Sequence, residues 1–118
     1  MNLPHIEPLL FAKQIFDLYN NTATVLCEFN QIPTLSMFIE AAAQASSAFD
    51  LNKDNEPKIG FLTLAKNIEL LNEIKDNSYL IKLKNEVEVN NMKQFSFEAY
   101  DKNNIKIVKG LFTILVQE

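Results

Sequence analysis

Residues 32–49 read IPTLSMFIEAAAQASSAF. Pro33 punctuates the start, Thr34 offers a side-chain oxygen for an N-cap, and the alanine run favours propagation, so the stretch predicts a helix over roughly Thr34–Phe49. Wound at about 100° per residue, it is apolar around most of its circumference. Ser36, Glu40, Gln44 and Ser47 fall within about a quarter of that circumference, and every strongly apolar residue lies elsewhere. A helix this apolar has to be covered on most sides, Ala42 and Ala45 included, and that requirement shapes what surrounds it.

The flanking sequence supplies strands. Leu9–Tyr19 has no clear period, but Asn20-Asn21 is turn chemistry and TATVLCEF (22–29) is β-branched, which reads as strand, turn, strand. The polar piece NKDNEP (52–57) reads as a surface loop. KIGFLTLAKNIEL opens a strand near Ile59. In NSYLIKLKNEVEV, Tyr79, Ile81, Leu83, Val87 and Val89 alternate with Lys82, Lys84, Glu86 and Glu88, predicting a strand with one wet face. Asn90-Asn91 is a second hairpin turn into KQFSFEAY, where Phe95, Phe97 and Ala99 alternate with Gln94, Ser96 and Glu98. DKNN (101–104) turns into IKIVKGLFTILVQE, whose second half is apolar on both faces and so belongs inside the sheet, with Gly110 at a bulge or close approach. The expected order is strands, one apolar helix, then about four antiparallel strands in a meander. A single curved sheet wrapped around that helix satisfies both patterns. This is an α+β arrangement, the hotdog fold, in one domain spanning 1–118.

Composition narrows the function. All 11 basic residues are lysines, scattered along a chain of net charge −4, so no concentrated basic face is present for nucleic acid. One cysteine and one histidine exclude an internal disulfide and argue against a zinc site; no metal and no cofactor is expected. No apolar run has the length of a bilayer crossing, and MNLPHIEPLLF lacks a basic region ahead of its apolar residues, which predicts a cytoplasmic protein with no membrane partner. Cys27 shares a strand face with Val25 and Phe29, the position of a small core residue rather than a nucleophile.

Three segments carry a resemblance across almost the whole chain: LPHIEPLL (3–10), FIEAAAQASSAF (38–49) and IGFLTLAKNIE (59–69). Together they resemble the hotdog-fold 3-hydroxyacyl-ACP dehydratases, and more closely the divergent dehydratase-like proteins of aryl polyene pathways. The resemblance implies removal of water from a 3-hydroxyacyl thioester on acyl carrier protein, by a dimer in which a helix carboxylate works with a histidine from the opposite subunit. Glu40 stands at the carboxylate position. The family's Gly-His-Phe-Pro loop has no counterpart, since FNQIP (29–33) carries Asn30 and Gln31 there.

A carboxylate on a stripe whose other members are small or neutral polar residues reads either as the helix's solvent side or as the lining of a narrow cleft, and in a cleft desolvation would favour its neutral form. Glu40 is therefore the first candidate catalytic residue, with Gln44 one turn later to orient it. His5, the remaining histidine, is either a packing residue or the replacement base. The N–H groups at the helix start, near Ser36, Met37 and Phe38, are candidates to polarise a thioester carbonyl. Besides the dehydratase, two readings stay open. One is an acyl thioesterase, in which the same carboxylate activates water or attacks the thioester. The other is a non-catalytic hotdog subunit that binds acyl chains or stabilises an active homologue as a heterodimer. A homodimer at least is expected, because one sheet around one helix leaves an open edge.

Overall fold

A computed structural model describes residues 12–18, 21–46 and 59–117. The described chain forms six strands and one helix: β1 (Ala12–Leu18), β2 (Thr22–Glu28), α1 (Leu35–Ala45), β3 (Ile59–Leu70), β4 (Ser78–Val89), β5 (Met92–Tyr100) and β6 (Lys106–Gln117). All pairings are antiparallel, in the order β1-β2-β4-β5-β6-β3. The expected hairpins β1–β2, β4–β5 and β5–β6 are present. Asn90 and Asn104 supply the left-handed backbone their turns need, and the Asp101 carboxylate accepts from the N–H groups of Asn103 and Ile105.

The meander is shorter than expected. β3 pairs with β6 rather than β4, which puts it at the sheet edge. The chain then crosses to β4 through 71–77, whose backbone is satisfied at both ends: Leu71 and Asn72 donate to the Ile107 carbonyl, and the Asn77 carbonyl accepts from Phe29.

The sheet wraps α1 through one cluster. Phe38, Ala41, Ala42 and Ala45, spaced i, i+3, i+4, i+7, face Val25, Cys27, Tyr79, Ile81, Leu83, Phe95, Phe97, Ala99, Val108 and Phe112, all buried. Phe38 is the anchor. Its ring meets Tyr79 edge-on at 4.8 Å and Phe29 at 5.6 Å, and it is fully out of water. Thr34 caps the helix as expected: its Oγ1 accepts from the Met37 N–H at 3.3 Å, while its own N–H donates to Met37 Sδ. The helix ends at Ala45 with Ser46 as C-cap, its hydroxyl donating to the Ala43 carbonyl; 47–49 of the expected span lie outside the described residues.

Among the register shifts of the sheet, two reposition side chains at the core. On β4 the register shifts between Asn85 and Val87, so two residues oppose one on β5. Glu86 and Val87 then fall on the same side, and Val87 and Val89 turn to the outer face, exposed, instead of continuing the buried row of Tyr79, Ile81 and Leu83. That corrects the simple alternation. On β3 a shift between Lys66 and Glu69, with Asn67 at φ 55°, carries Ile68 over Gly110. This is the close approach for which Gly110 has no side chain in the way.

Candidate functional site

α1 positions the site by its periodicity. With Phe38, Ala41, Ala42 and Ala45 turned to the sheet, Ser36, Glu40 and Gln44 fall on the opposite side of the cylinder. Ser36 is exposed, whereas Glu40 and Gln44 are half-buried. The stripe is thus graded, exposed at the helix start and half-buried one and two turns on, with one carboxyl as its only ionisable group. Ser47, its fourth member, lies outside the described residues.

The helix start has fewer donors to offer than its sequence suggests. The Met37 N–H goes to Thr34 Oγ1 and the Phe38 N–H to the Thr34 carbonyl at 3.2 Å. Of the three expected donors, Ser36 N–H is the one outside the cap. The Phe38 side chain is sealed in the aromatic cluster, and Met37 is half-buried beside the core. His5 lies outside the described residues. In the loop before the helix, Asn30 and Gln31 are exposed and Pro33 is buried.

Cys27 behaves as a core residue. It is fully buried, and that burial pushes its thiol up to about 12, so the thiolate a nucleophile needs is absent near neutral pH. Among the described residues no group of three His, Cys, Asp or Glu side chains could hold a metal ion, and no helix is long and apolar enough to cross a membrane.

A concavity of about 740 Å³ lies on the outer face of the sheet, lined by residues including Lys82, Lys84, Ser96, Glu98, Lys109 and Glu69. It is open to solvent, and two of its charges, Lys109 and Glu69, pair with each other, while Glu98 pairs with Lys106 outside the lining. Lys109 bridges to Glu69 at 3.8 Å, and Glu98 accepts from Lys106 at 2.8 Å and from the Tyr100 hydroxyl at 2.7 Å. Those two donors hold the Glu98 carboxyl below the usual carboxylate range. Lys82 sits over the Tyr100 ring at 4.7 Å. The network lies on a solvated face and is separated from Glu40 by the core.

No protein-family model and no curated protein matches this sequence. Solved structures do. A Streptococcus mutans protein bound to acetyl-CoA superposes with a TM-score of 0.70 at 13% identity, over 99% of this chain and 97% of that one. A hypothetical thioesterase with coenzyme A from Streptococcus pneumoniae gives 0.67 at 12%, covering 88% and 84%. A thioesterase from Haemophilus influenzae gives 0.69 at 10%, covering 88% and 77%. The architecture of one helix inside one antiparallel sheet is common to all.

This chain has the hotdog fold. At these identities the likeness establishes the hotdog backbone and leaves the chemistry to the side chains. The hotdog sheet here has six described strands, and Glu40 sits in the middle of its helix.

Proposed function

We propose that this protein hydrolyses acyl thioesters, with Glu40 as the carboxylate that draws a proton from water as the water attacks the thioester carbonyl. The C–S bond then breaks, the leaving sulfur recovers the proton from Glu40, and the products are a free acid and a thiol. The observation that carries this reading is Glu40 itself: the single ionisable group on a helix face turned away from the core, half-buried rather than solvated. Structures that share this fold over most of their length, bound to coenzyme A and acetyl-CoA, support the thioester class.

The balance between hydrolysis and dehydration rests on how many groups each reaction needs. Dehydration of a 3-hydroxyacyl thioester takes a base for the C2 proton and an acid for the leaving hydroxyl, and the loop at 29–33 supplies neither. Hydrolysis needs one carboxylate and a water. This favours the thioesterase over the dehydratase that the sequence resemblance suggested.

The proposal includes a dimer formed along β3, as a homodimer or with another hotdog chain. β3 is a 12-residue edge strand, and Phe61, Leu62, Leu64 and Leu70 on it are all exposed. Long apolar edges of this kind are normally covered. Whether the acyl carrier is coenzyme A or acyl carrier protein is decided by assay.

Pure protein incubated with acyl-CoA, acyl-ACP and 3-hydroxyacyl-ACP panels, with products resolved by mass, tests the reading. Release of thiol and free acid supports hydrolysis; loss of one water with the thioester intact restores the dehydratase. Glu40→Gln should lower turnover by roughly a hundredfold or more, the scale of a lost acid–base group, with its melting temperature unchanged. Full activity in Glu40→Gln would remove Glu40 from the mechanism. His5→Ala gives the comparison: a similar loss makes His5 a second acid–base group, and loss of stability alone makes it a packing residue.

A further inference from the structure

We infer that Met37 is an oxidation site, at which conversion of the thioether to the sulfoxide completes the cap of α1 and slows the reaction proposed for Glu40. In the reciprocal cap that opens many helices, the residue three positions after the N-cap is glutamate or glutamine, and its side-chain oxygen takes the N-cap N–H. Here that residue is Met37. Its Sδ takes the Thr34 N–H at 3.4 Å, while Thr34 Oγ1 takes the Met37 N–H at 3.3 Å. Thioether sulfur is a weak acceptor. The first turn holds no acidic residue to compensate, so the helix start lacks one strong acceptor.

A sulfoxide supplies it. The sulfur lone pair attacks one oxygen of hydrogen peroxide, and an S–O bond forms as the O–O bond breaks. The second oxygen leaves as hydroxide and takes the proton of the first to become water, so the sulfur is oxidised by two electrons and the peroxide reduced by two. The new oxygen lies one bond beyond an atom already in contact with the Thr34 N–H, at the exposed start of the helix, and so meets a donor rather than the core. The other sulfurs do not share this position. Cys27 is sealed, with its thiol pushed up to about 12, and has no thiolate to react. Met92 is exposed on the outer face of the sheet, across the core from α1.

Position on the helix connects the cap to the site. Seven residues separate Met37 from Gln44, so the two point only about 20° apart around the cylinder, and Glu40 lies within about 60° of Met37. Met37 therefore borders the stripe at its exposed end. A sulfoxide oxygen is the negative end of a strong dipole. It stands where the N-terminal field of α1 and the Ser36 N–H would otherwise act on a thioester oxygen. Oxidation thus firms the helix start and weakens its pull on the substrate. The effect on rate rests on the reaction proposed above, and the effect on the cap does not.

The test treats the folded full chain carrying Met92→Leu with hydrogen peroxide, which leaves Met37 as the reactive sulfur among the described residues. Peptide mass should show about 16 Da added at Met37. Tm at one fixed protein concentration should rise by about 2–4 °C. Hydrolysis of acyl-CoA should slow about two- to fivefold, and a methionine sulfoxide reductase should reverse both changes. Met37→Gln, which carries the usual oxygen acceptor, should reproduce both shifts without peroxide, and Met37→Leu should lose the response to peroxide. Met37 left unmodified by peroxide that oxidises free methionine, or a Tm unchanged or lowered by oxidation, would overturn the inference. A raised Tm with an unchanged rate would overturn the link to Glu40. If untreated protein hydrolyses no thioester, the reading of Glu40 fails separately, and the direction of the Tm shift still decides for or against the oxidised cap.

Discussion

Gly110→Ala isolates the contact that lets β3 close over the sheet. A Cβ at this position would overlap Ile68 Cδ1 and stand 3.1 Å from Phe97 Cε1 and 3.3 Å from Ile68 Cα. The Cδ1 end can rotate away. The Phe97 ring is buried and Ile68 Cα is main chain, so one rotamer change does not relieve the crowding. Overpacking of this kind costs about 1–3 kcal/mol. Against it, alanine restricts the unfolded chain and returns about 0.4–1 kcal/mol, because no glycine among the described residues has a positive φ that alanine would resist. The expected net loss is about 1–2 kcal/mol, several degrees in Tm for a chain of this size. Ile68→Ala removes the overlapping atom, so the double variant should lose less than the sum of the two single losses by about 1 kcal/mol. Urea unfolding at one fixed protein concentration measures all four corners of that cycle. A Gly110→Ala protein as stable as the wild type, or strict additivity, would refute the packing argument.

Other residues give further expectations. Phe38→Ala empties the site between Phe29 and Tyr79 and should cost about 3–5 kcal/mol in the same unfolding assay. Cys27 should stay unmodified by maleimide at neutral pH in the native protein and react on unfolding, since burial holds its thiol at about 12; rapid native labelling would contradict its place in the core. The folded pKa of Glu98 is lowered by Lys106 and Tyr100, so its contribution to stability is present above the unfolded carboxylate pKa and is lost as pH falls through the folded one. Stability measured below the ordinary value of 4.5 should therefore fall less steeply in Glu98→Gln than in the wild type.

Local pattern by itself determined the helix, its Thr34 cap and the burial of Ala42 and Ala45, because a 3.6-residue period with one polar stripe has a single way to face a sheet. It likewise determined the burial of Cys27, Phe95, Phe97 and Ala99, and the close approach at Gly110. The half-burial of Glu40 agrees with its stripe of small or neutral polar neighbours, the pattern that made Glu40 a candidate from residue order. The tertiary structure alone decided the rest. The position of β3 beside β6 is a choice among pairings that no single strand encodes, and it is what leaves Phe61 and Leu64 on an open edge. The occupancy of the Met37 and Phe38 N–H groups depends on where Thr34 sits. The outward turn of Val87 and Val89 shows the physical reason most directly. Their alternation with charged residues runs unbroken in the sequence, yet one extra residue at Glu86 moves the register by one and reverses every face beyond it.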